Sequence, residues 1–474
     1  MKLNISGVDI CIIIVYMLVI LYIGLWCRKK VKNSDDFFVA SRSLGTLVIA
    51  ATVCASILGG SAMIGRGGIM YSSGLVGIML GLPYLLGMYI FSAMSGRIQA
   101  VGAKYNIKSI PELMGYRFGR KARLLVAGLI SFAMMATVAS QLAAFATVLR
   151  TVAGVSFEIG VWIALFIIVG YTSVSGLFGV VYTDVLQFLV LITSVYIILP
   201  ILSVEKIGGL KVLFETVPAS HLEMNVTPDI IGIIFTTLIF TFAGAEMWQR
   251  AFSSKSPKVA RRGMFIGNTV YAGTIFVTLV LSLSAVVLFP NVAELFGTTD
   301  AALPALIVGV LPTGLLGLAI SGIIAVIMST ADTYLLISTQ TFVVDFMEPL
   351  MKRELSQKAE LRYSRIFTVI GGIVAVIISL YVEGVYNVLM FAWTFYAASV
   401  GIPAVLALLW KGATSGGICW GTLAGFFGSI GWKLLGSPLG ISEVLVGTAL
   451  CIVFAVGVSI VDNKNNKSSK FPSC

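Results

Sequence analysis

The chain has 474 residues, 58% of them hydrophobic and 11% charged, with a formal net charge of +11. No polar stretch exceeds about 30 residues, well short of a typical soluble domain, so a soluble enzyme or an appended soluble domain is excluded. Apolar runs of about 20 residues, each enough to cross a hydrocarbon core of about 30 Å, recur along the chain and imply an all-α polytopic membrane protein.

Taken in order, the runs predict about thirteen transmembrane helices. They lie near 8–27, 45–71, 75–96, 124–149, 158–174, 180–202, 229–249, 263–289, 313–345, 364–382, 386–409, 414–435 and 440–461. The first run is longer than a signal-peptide core and lacks a small-residue cleavage pattern, so it reads as a retained span. Pro, Gly or charge punctuates most of the joins.

The basic residues fix an orientation. Loop 28–43 carries five, loop 97–123 seven, loop 250–262 five and loop 351–365 five; Lys411, Lys464, Lys467 and Lys470 bring this side to 26 of the 32 Lys and Arg. The other side holds Lys2, Arg150, Lys206, Lys211 and Lys433, and Arg66 falls within a span. The positive-inside rule then predicts an outside N-terminus and a cytoplasmic C-terminus. The charge is a topology signal and calls for no nucleic acid. The six cysteines fall mostly within apolar runs without paired spacing, which gives neither a disulfide framework nor a zinc motif. His221, the single histidine, reads as a solvated loop residue.

Two polar interruptions carry chemistry. The second span contains Gly59-Gly60-Ser61-Ala62-Met63-Ile64-Gly65-Arg66-Gly67-Gly68, six of ten being Gly or Ala. Gly lowers the cost of unwinding a helix, and unwound backbone at membrane depth is tolerated where its carbonyls line a cavity or bind an ion. Close helix packing through small residues is the alternative. The ninth span contains Met328-Ser329-Thr330-Ala331-Asp332-Thr333. Ser329, Asp332 and Thr333 are spaced i, i+3, i+4 and share one helix face, a cluster of oxygens suited to a small hard cation.

These segments resemble the sodium/solute symporter family, relatives of the proline, pantothenate, sugar and sialic acid sodium symporters. Ser34-Asp35-Asp36-Phe37-Phe38-Val39-Ala40-Ser41-Arg42-Ser43-Leu44-Gly45 is similar to the family's DFF-x-A-x-R-x-L-G motif. Gly176-Leu177-Phe178-Gly179-Val180-Val181-Tyr182-Thr183-Asp184-Val185-Leu186-Gln187 resembles its G-L-x-x-V-x-x-T-D-x-x-Q signature. Gln249-Arg250 before the basic Ser253–Arg262 loop and the Met-Ser-Thr cluster complete four matches in order.

The resemblance implies a LeuT-type fold, with five-helix inverted repeats at 45–202 and 229–409 around a midplane site. Helix 8–27 and the two helices of 414–461 would be peripheral, and 462–474 a cytoplasmic tail. The family's main sodium site maps onto the carbonyls of Ala55, Leu58 and Val326 and the hydroxyls of Ser329 and Thr330. Five oxygens without a formal charge suit a monovalent cation. A second cation, or a shared proton, maps onto Asp184, Ser329, Asp332 and Thr333, since two close carboxylates do not both stay ionised unaided. Substrate positions map onto Ile57, Gly59 and Ala62, with Phe242 and Glu246 on the seventh span. Trp393, Tyr396 and Tyr84 are candidate gates or packing residues. Arg66 suits a solute carboxylate, a protein acid or a snorkelling position. Glu246 also fits a cytoplasmic-end pair with Arg250 at i+4.

The expected activity is sodium-coupled symport of a small organic solute, possibly carboxylate-bearing, by alternating access across the cell membrane. Sodium is the coupling ion and no further cofactor is expected. A proton-coupled transporter of the same fold, a channel and a transporter-like sensor are the alternatives. The chain lacks HExxH, GxSxG, paired His/Cys sets and a P-loop, which removes the common enzyme and ATP-driven classes.

Overall fold

The computed structural model describes residues 5–28, 39–353, 355–381 and 384–464. Residues 34–38 of the first family-like motif, and 465–474 of the tail, lie outside the described residues. Ten helical stretches among the described residues are long and apolar enough to cross a membrane. No strand is present among them, only one isolated bridge between Leu44 and Ser254.

Helix α1 (Gly7–Arg28) lies against the helix that carries the Ser-Thr cluster. The buried Asp9 fixes it there, accepting the Gly314 and Gly317 amides at 2.7 and 2.8 Å. Those two amides open that helix, so Asp9 is an N-cap supplied from another span.

The second span is split. Helix α2 (Thr46–Ile57) stops, the chain opens at Leu58 and Gly59, a wide turn covers Ser61–Gly65, and α3 (Arg66–Ser73) resumes. The chain reverses at Gly74, whose φ of +61° and contact with the His221 carbonyl leave no room for a side chain. His221 is therefore no free surface residue: it is half-buried, with Nε2 3.0 Å from the Tyr71 carbonyl.

Helices α4 (Leu82–Tyr105), α5 (Ile110–Phe118) and α6 (Arg120–Ala153) follow. The expected fifth and sixth spans are joined in one helical run: α7 (Phe157–Leu191), a wide turn at Ile192–Ile198, and α8 (Leu199–Ile207). Glycine costs only about 1 kcal/mol inside a helix and proline about 3, so Gly176 and Gly179 do not end it. The run is far longer than the roughly 20 residues of one crossing.

The seventh span is split as the second is. Helix α9 (Pro228–Ala243) ends at Gly244 and α10 (Ala245–Ser253) begins at once. Next come α11 (Pro257–Leu288), the short α12 (Ala302–Val310) and the buried α13 (Leu315–Gln340). Helices α14 (Gln357–Tyr381), α15 (Val385–Tyr396) and α16 (Ile402–Leu409) lead to the last pair.

That pair, α17 (Ser415–Leu434) and α18 (Glu443–Lys464), meets through glycines. A Cβ at Gly421 would lie 2.9 Å from the Cys451 carbonyl, and one at Gly417 only 2.5 Å from that of Ala455. This is the small-residue packing that membrane helices use in place of a hydrophobic driving force.

Candidate functional site

Helices α2, α3, α9, α10 and α13 meet at the two breaks. At the first, no backbone N–H among the described residues donates to the carbonyls of Ala55 or Leu58. A Cβ on Gly59 would lie 2.6 Å from the Thr330 hydroxyl, so α13 lies directly against the opened backbone. The Thr330 hydroxyl is buried and without a hydrogen-bond partner. Val326 and Ser329 are buried on the same helix. A buried hydroxyl left unbonded beside freed carbonyls is a set of oxygens whose chemistry suits a small cation.

The break is held open by a residue that gives no signal in sequence. Gln141 on α6 accepts the Gly60 amide at 2.8 Å through Oε1 and donates to the Ser61 hydroxyl at 2.9 Å through Nε2. It satisfies backbone that the glycines expose.

Asp184 lies below, fully buried. It accepts Thr52 Oγ1 at 2.6 Å, and the Ser329 hydroxyl donates to its other oxygen. Arg250 Nη2 stands 4.0 Å from the Asp184 carboxylate and donates to Ser56 Oγ at 2.9 Å and Thr333 Oγ1 at 3.0 Å. A guanidinium thus spans Asp184 and Thr333, where the sequence suggested a second cation. Asp332 is buried on the same helix.

The expected Glu246–Arg250 pair at a cytoplasmic helix end does not form. The break at Gly244 carries Glu246 into the interior, where it is 1% exposed and its carboxylate faces Tyr334 and the charge of Arg250. Its side chain folds back, with Oε1 2.8 Å from where a Cβ on Gly244 would stand. The carbonyls at this break are already taken: Trp248 Nε1 donates to Phe242 at 2.9 Å, and the Tyr396 hydroxyl donates to Ala243.

A cavity adjoins Thr330 and the opened backbone. Ile57, Gly59, Ala62, Arg66, Thr330 and Trp393 are among its lining residues, with Tyr84, Tyr334 and Tyr386. Phe242 and Glu246 lie outside the lining. The cavity has a volume of 20 Å³, room for about one water molecule. Arg66 is buried, lies 5.6 Å from the centre of the Tyr271 ring, and forms no ion pair among the described residues. Phe240 stacks on Trp393 at 3.7 Å and Tyr84 stacks on Trp393 at 5.9 Å, closing one wall.

Both ends of the site are shut. Toward the basic loops, Leu44 N donates to Ser253 O at 3.2 Å and Lys255 N to Leu44 O at 3.1 Å. Arg42 adds bonds to the carbonyls of Phe252 and Ile107 at 3.1 and 3.0 Å. At the opposite end Asp300 accepts the Val385 amide at 2.9 Å and packs on Gly68, joining the segment before α12 to α3 and α15. Asp300 is outside the spans, and burial pushes its carboxyl up from an ordinary 3.8 to about 6. Burial favours the protonated form although the Val385 bond alone favours the ionised one, so the packing of this segment is tightest in acid and weakens as pH rises from about 4 to about 6. Hydrogen exchange across 299–310 should therefore slow on going from pH 7.5 to pH 5, after correction for the intrinsic rate. Asp300→Asn should remove that dependence; an unchanged dependence would assign it to other groups.

A family model described as the sodium:solute symporter family matches residues 37–425. The chain belongs to this family. Members are secondary transporters and not enzymes, and the chain is a multi-pass sodium-coupled symporter of a small solute. Among similar proteins, the high-affinity proline transporter PutP of Bacillus subtilis (strain 168) is 24% identical over 93% of this chain and 95% of its own. The sodium/proline symporter of Escherichia coli (strain K12) is 25% identical, covering 91% of this chain and 89% of its own. A solved Na+-coupled sialic acid symporter, substrate-bound and outward-open, superposes with a TM-score of 0.82 at 18% identity over 99% of this chain and 100% of its own. A nucleobase-cation-symport-1 family transporter gives 0.59 at 13% identity over 91% and 96%. The symporter fold is thus of the LeuT type.

Proposed function

We propose that the symporter imports a carboxylate-bearing solute together with sodium, with its N-terminus outside and the basic loops in the cytoplasm. The two split spans then hold equivalent places in five-helix repeats at 45–202 and 229–409. Sodium is held by the carbonyls of Ala55, Leu58 and Val326 and the hydroxyls of Ser329 and Thr330. The observation that carries this is the unbonded Thr330 hydroxyl against the opened α2 backbone. Arg250 supplies the positive charge beside Asp184 and Thr333 that a second cation would otherwise provide. Each inward sodium gains about 2.3 kcal/mol per 100 mV, and a tenfold gradient adds about 1.4. One ion is enough for substantial accumulation.

Arg66 is the anion-binding group. Around it the Tyr386 hydroxyl and Trp393 Nε1 are buried donors without partners, a setting that calls for an acceptor-rich ligand. A guanidinium binds a carboxylate through two parallel bonds, which Lys cannot reproduce. Arg66→Lys should weaken solute affinity by roughly 1–3 kcal/mol with sodium binding retained. The test is uptake into proteoliposomes under an inward sodium gradient, comparing an acid with its neutral amide. Equal losses for both would assign Arg66 to structure, and uptake indifferent to sodium would overturn the sodium site.

A further inference from the structure

We propose that a membrane-facing groove beside α15 is a binding site for one phospholipid with an ethanolamine headgroup. The site is separate from the solute cavity and backs onto the same helix.

Helix α15 divides its side chains among three cavities. Tyr386, Leu389 and Trp393 line the solute cavity. Phe395 and Tyr396 line a groove of 490 Å³, with Phe132 of α6 and Phe426, Ile430 and Leu434 of α17. Asn387 and Thr394 line a second recess, of 570 Å³, with Ser437, Ser442 and Glu443 from the join between α17 and α18. The groove is apolar and follows α17 from Phe426 to Leu434, about 12 Å. The recess is polar and lies where α15 begins and α17 ends. One charged side chain belongs to both. Lys433 Nζ stands 5.5 Å from the centre of the Phe395 ring, on the groove side, and 3.3 Å from Glu443 Oε1, on the recess side.

An apolar slot with a charged mouth matches the polarity of a lipid. Leu434, Leu435 and Leu439 are exposed around it, and Trp432 Nε1 donates to the Ile441 carbonyl at 2.9 Å beside them. Exposed leucines with a tryptophan at a helix end mark the level where lipid meets water. A tail gains little hydrophobic energy in the slot, since bulk lipid is as apolar. Selection therefore falls to the headgroup. Lys433 offers a cation to the phosphate, and Glu443 offers a carboxylate to an ammonium N–H. Their side chains are 47% and 18% exposed, so their own pair is weak and opens to a ligand at little cost. An ethanolamine phospholipid carries both complements. A choline headgroup has no N–H for Glu443, and a glycerol headgroup sets a net anion against that carboxylate. A tail in the slot packs on Tyr396, whose hydroxyl donates to the Ala243 carbonyl at the second helix break. The lipid thus braces α15 from behind, while the front of the helix walls the solute cavity.

The test is native mass spectrometry of the full detergent-purified chain, offered equimolar phosphatidylethanolamine, phosphatidylcholine and phosphatidylglycerol with matched tails. The parent should retain one phosphatidylethanolamine in preference to either competitor by about fivefold or more. Glu443→Gln should abolish the preference over phosphatidylcholine, and Lys433→Gln should weaken retention of all three. Ile430→Trp narrows the slot without touching either charge, and should lower retention with the headgroup order unchanged. Equal retention of the three lipids would mean an annular layer only and would overturn the proposal. So would a preference for phosphatidylglycerol, which marks a purely cationic site, or an unchanged headgroup order in Glu443→Gln. A dimer that retains no lipid would also overturn it, by seating a second copy in the groove. The parent comparison stands whether or not a variant folds, and the thermal midpoint of each variant reports its folding.

Discussion

Arg250→Met should lower folded-state stability by about 3–5 kcal/mol, the usual cost of removing one partner from a buried ion pair. The size follows from what the side chain leaves behind. Asp184 is fully buried, and its carboxylate would keep Thr52 and Ser329 but lose the guanidinium 4.0 Å away. Ser56 and Thr333 would each lose a hydrogen bond from Nη2. The thermal midpoint of detergent-purified protein should fall sharply, and membrane expression with it. Adding Asp184→Asn should recover at least half of the loss, because the neutral amide needs no counter-charge. If the double variant is no better than Arg250→Met alone, the guanidinium acts through packing and hydrogen bonding rather than charge.

Ser329→Ala with Thr330→Val should raise the sodium concentration for half-maximal uptake by an order of magnitude or more, at about 1 kcal/mol per lost oxygen ligand. Thr330 is the cleaner probe. Its hydroxyl has no hydrogen-bond partner, whereas that of Ser329 also donates to Asp184. Thr330→Val alone should therefore change sodium affinity with little change in stability, while Ser329→Ala should change both. Unchanged sodium dependence in the double variant would remove these hydroxyls from the site.

The helical architecture and the first break were legible in sequence because their signals are local. Apolar runs report spans directly, Gly59-Gly60 reports an opening, and the i, i+3, i+4 spacing places Ser329, Asp332 and Thr333 on one face. The family motifs added which helix faces which. Glu246 was misleading for a physical reason. Its spacing from Arg250 suits an ion pair on one helix face, but the chain turns at Gly244, and Arg250 reaches across to α2 and α13. Gln141 and Asp300 left no trace, since each serves a partner 81 and 85 residues away with no local pattern around it. The joined run through α7 was missed because glycines were read as stops, although a helix tolerates them.

The short bridge between Leu44 and Ser254 bears on how the two broken segments can move. It ties the chain just before α2 to the joint just after α10. One clasp therefore restrains the leading half of one split span and the trailing half of the other. Opening toward the basic loops would have to break these backbone bonds, and the Arg42 contacts, at one stroke. Neither segment can swing free at this end while the other stays latched.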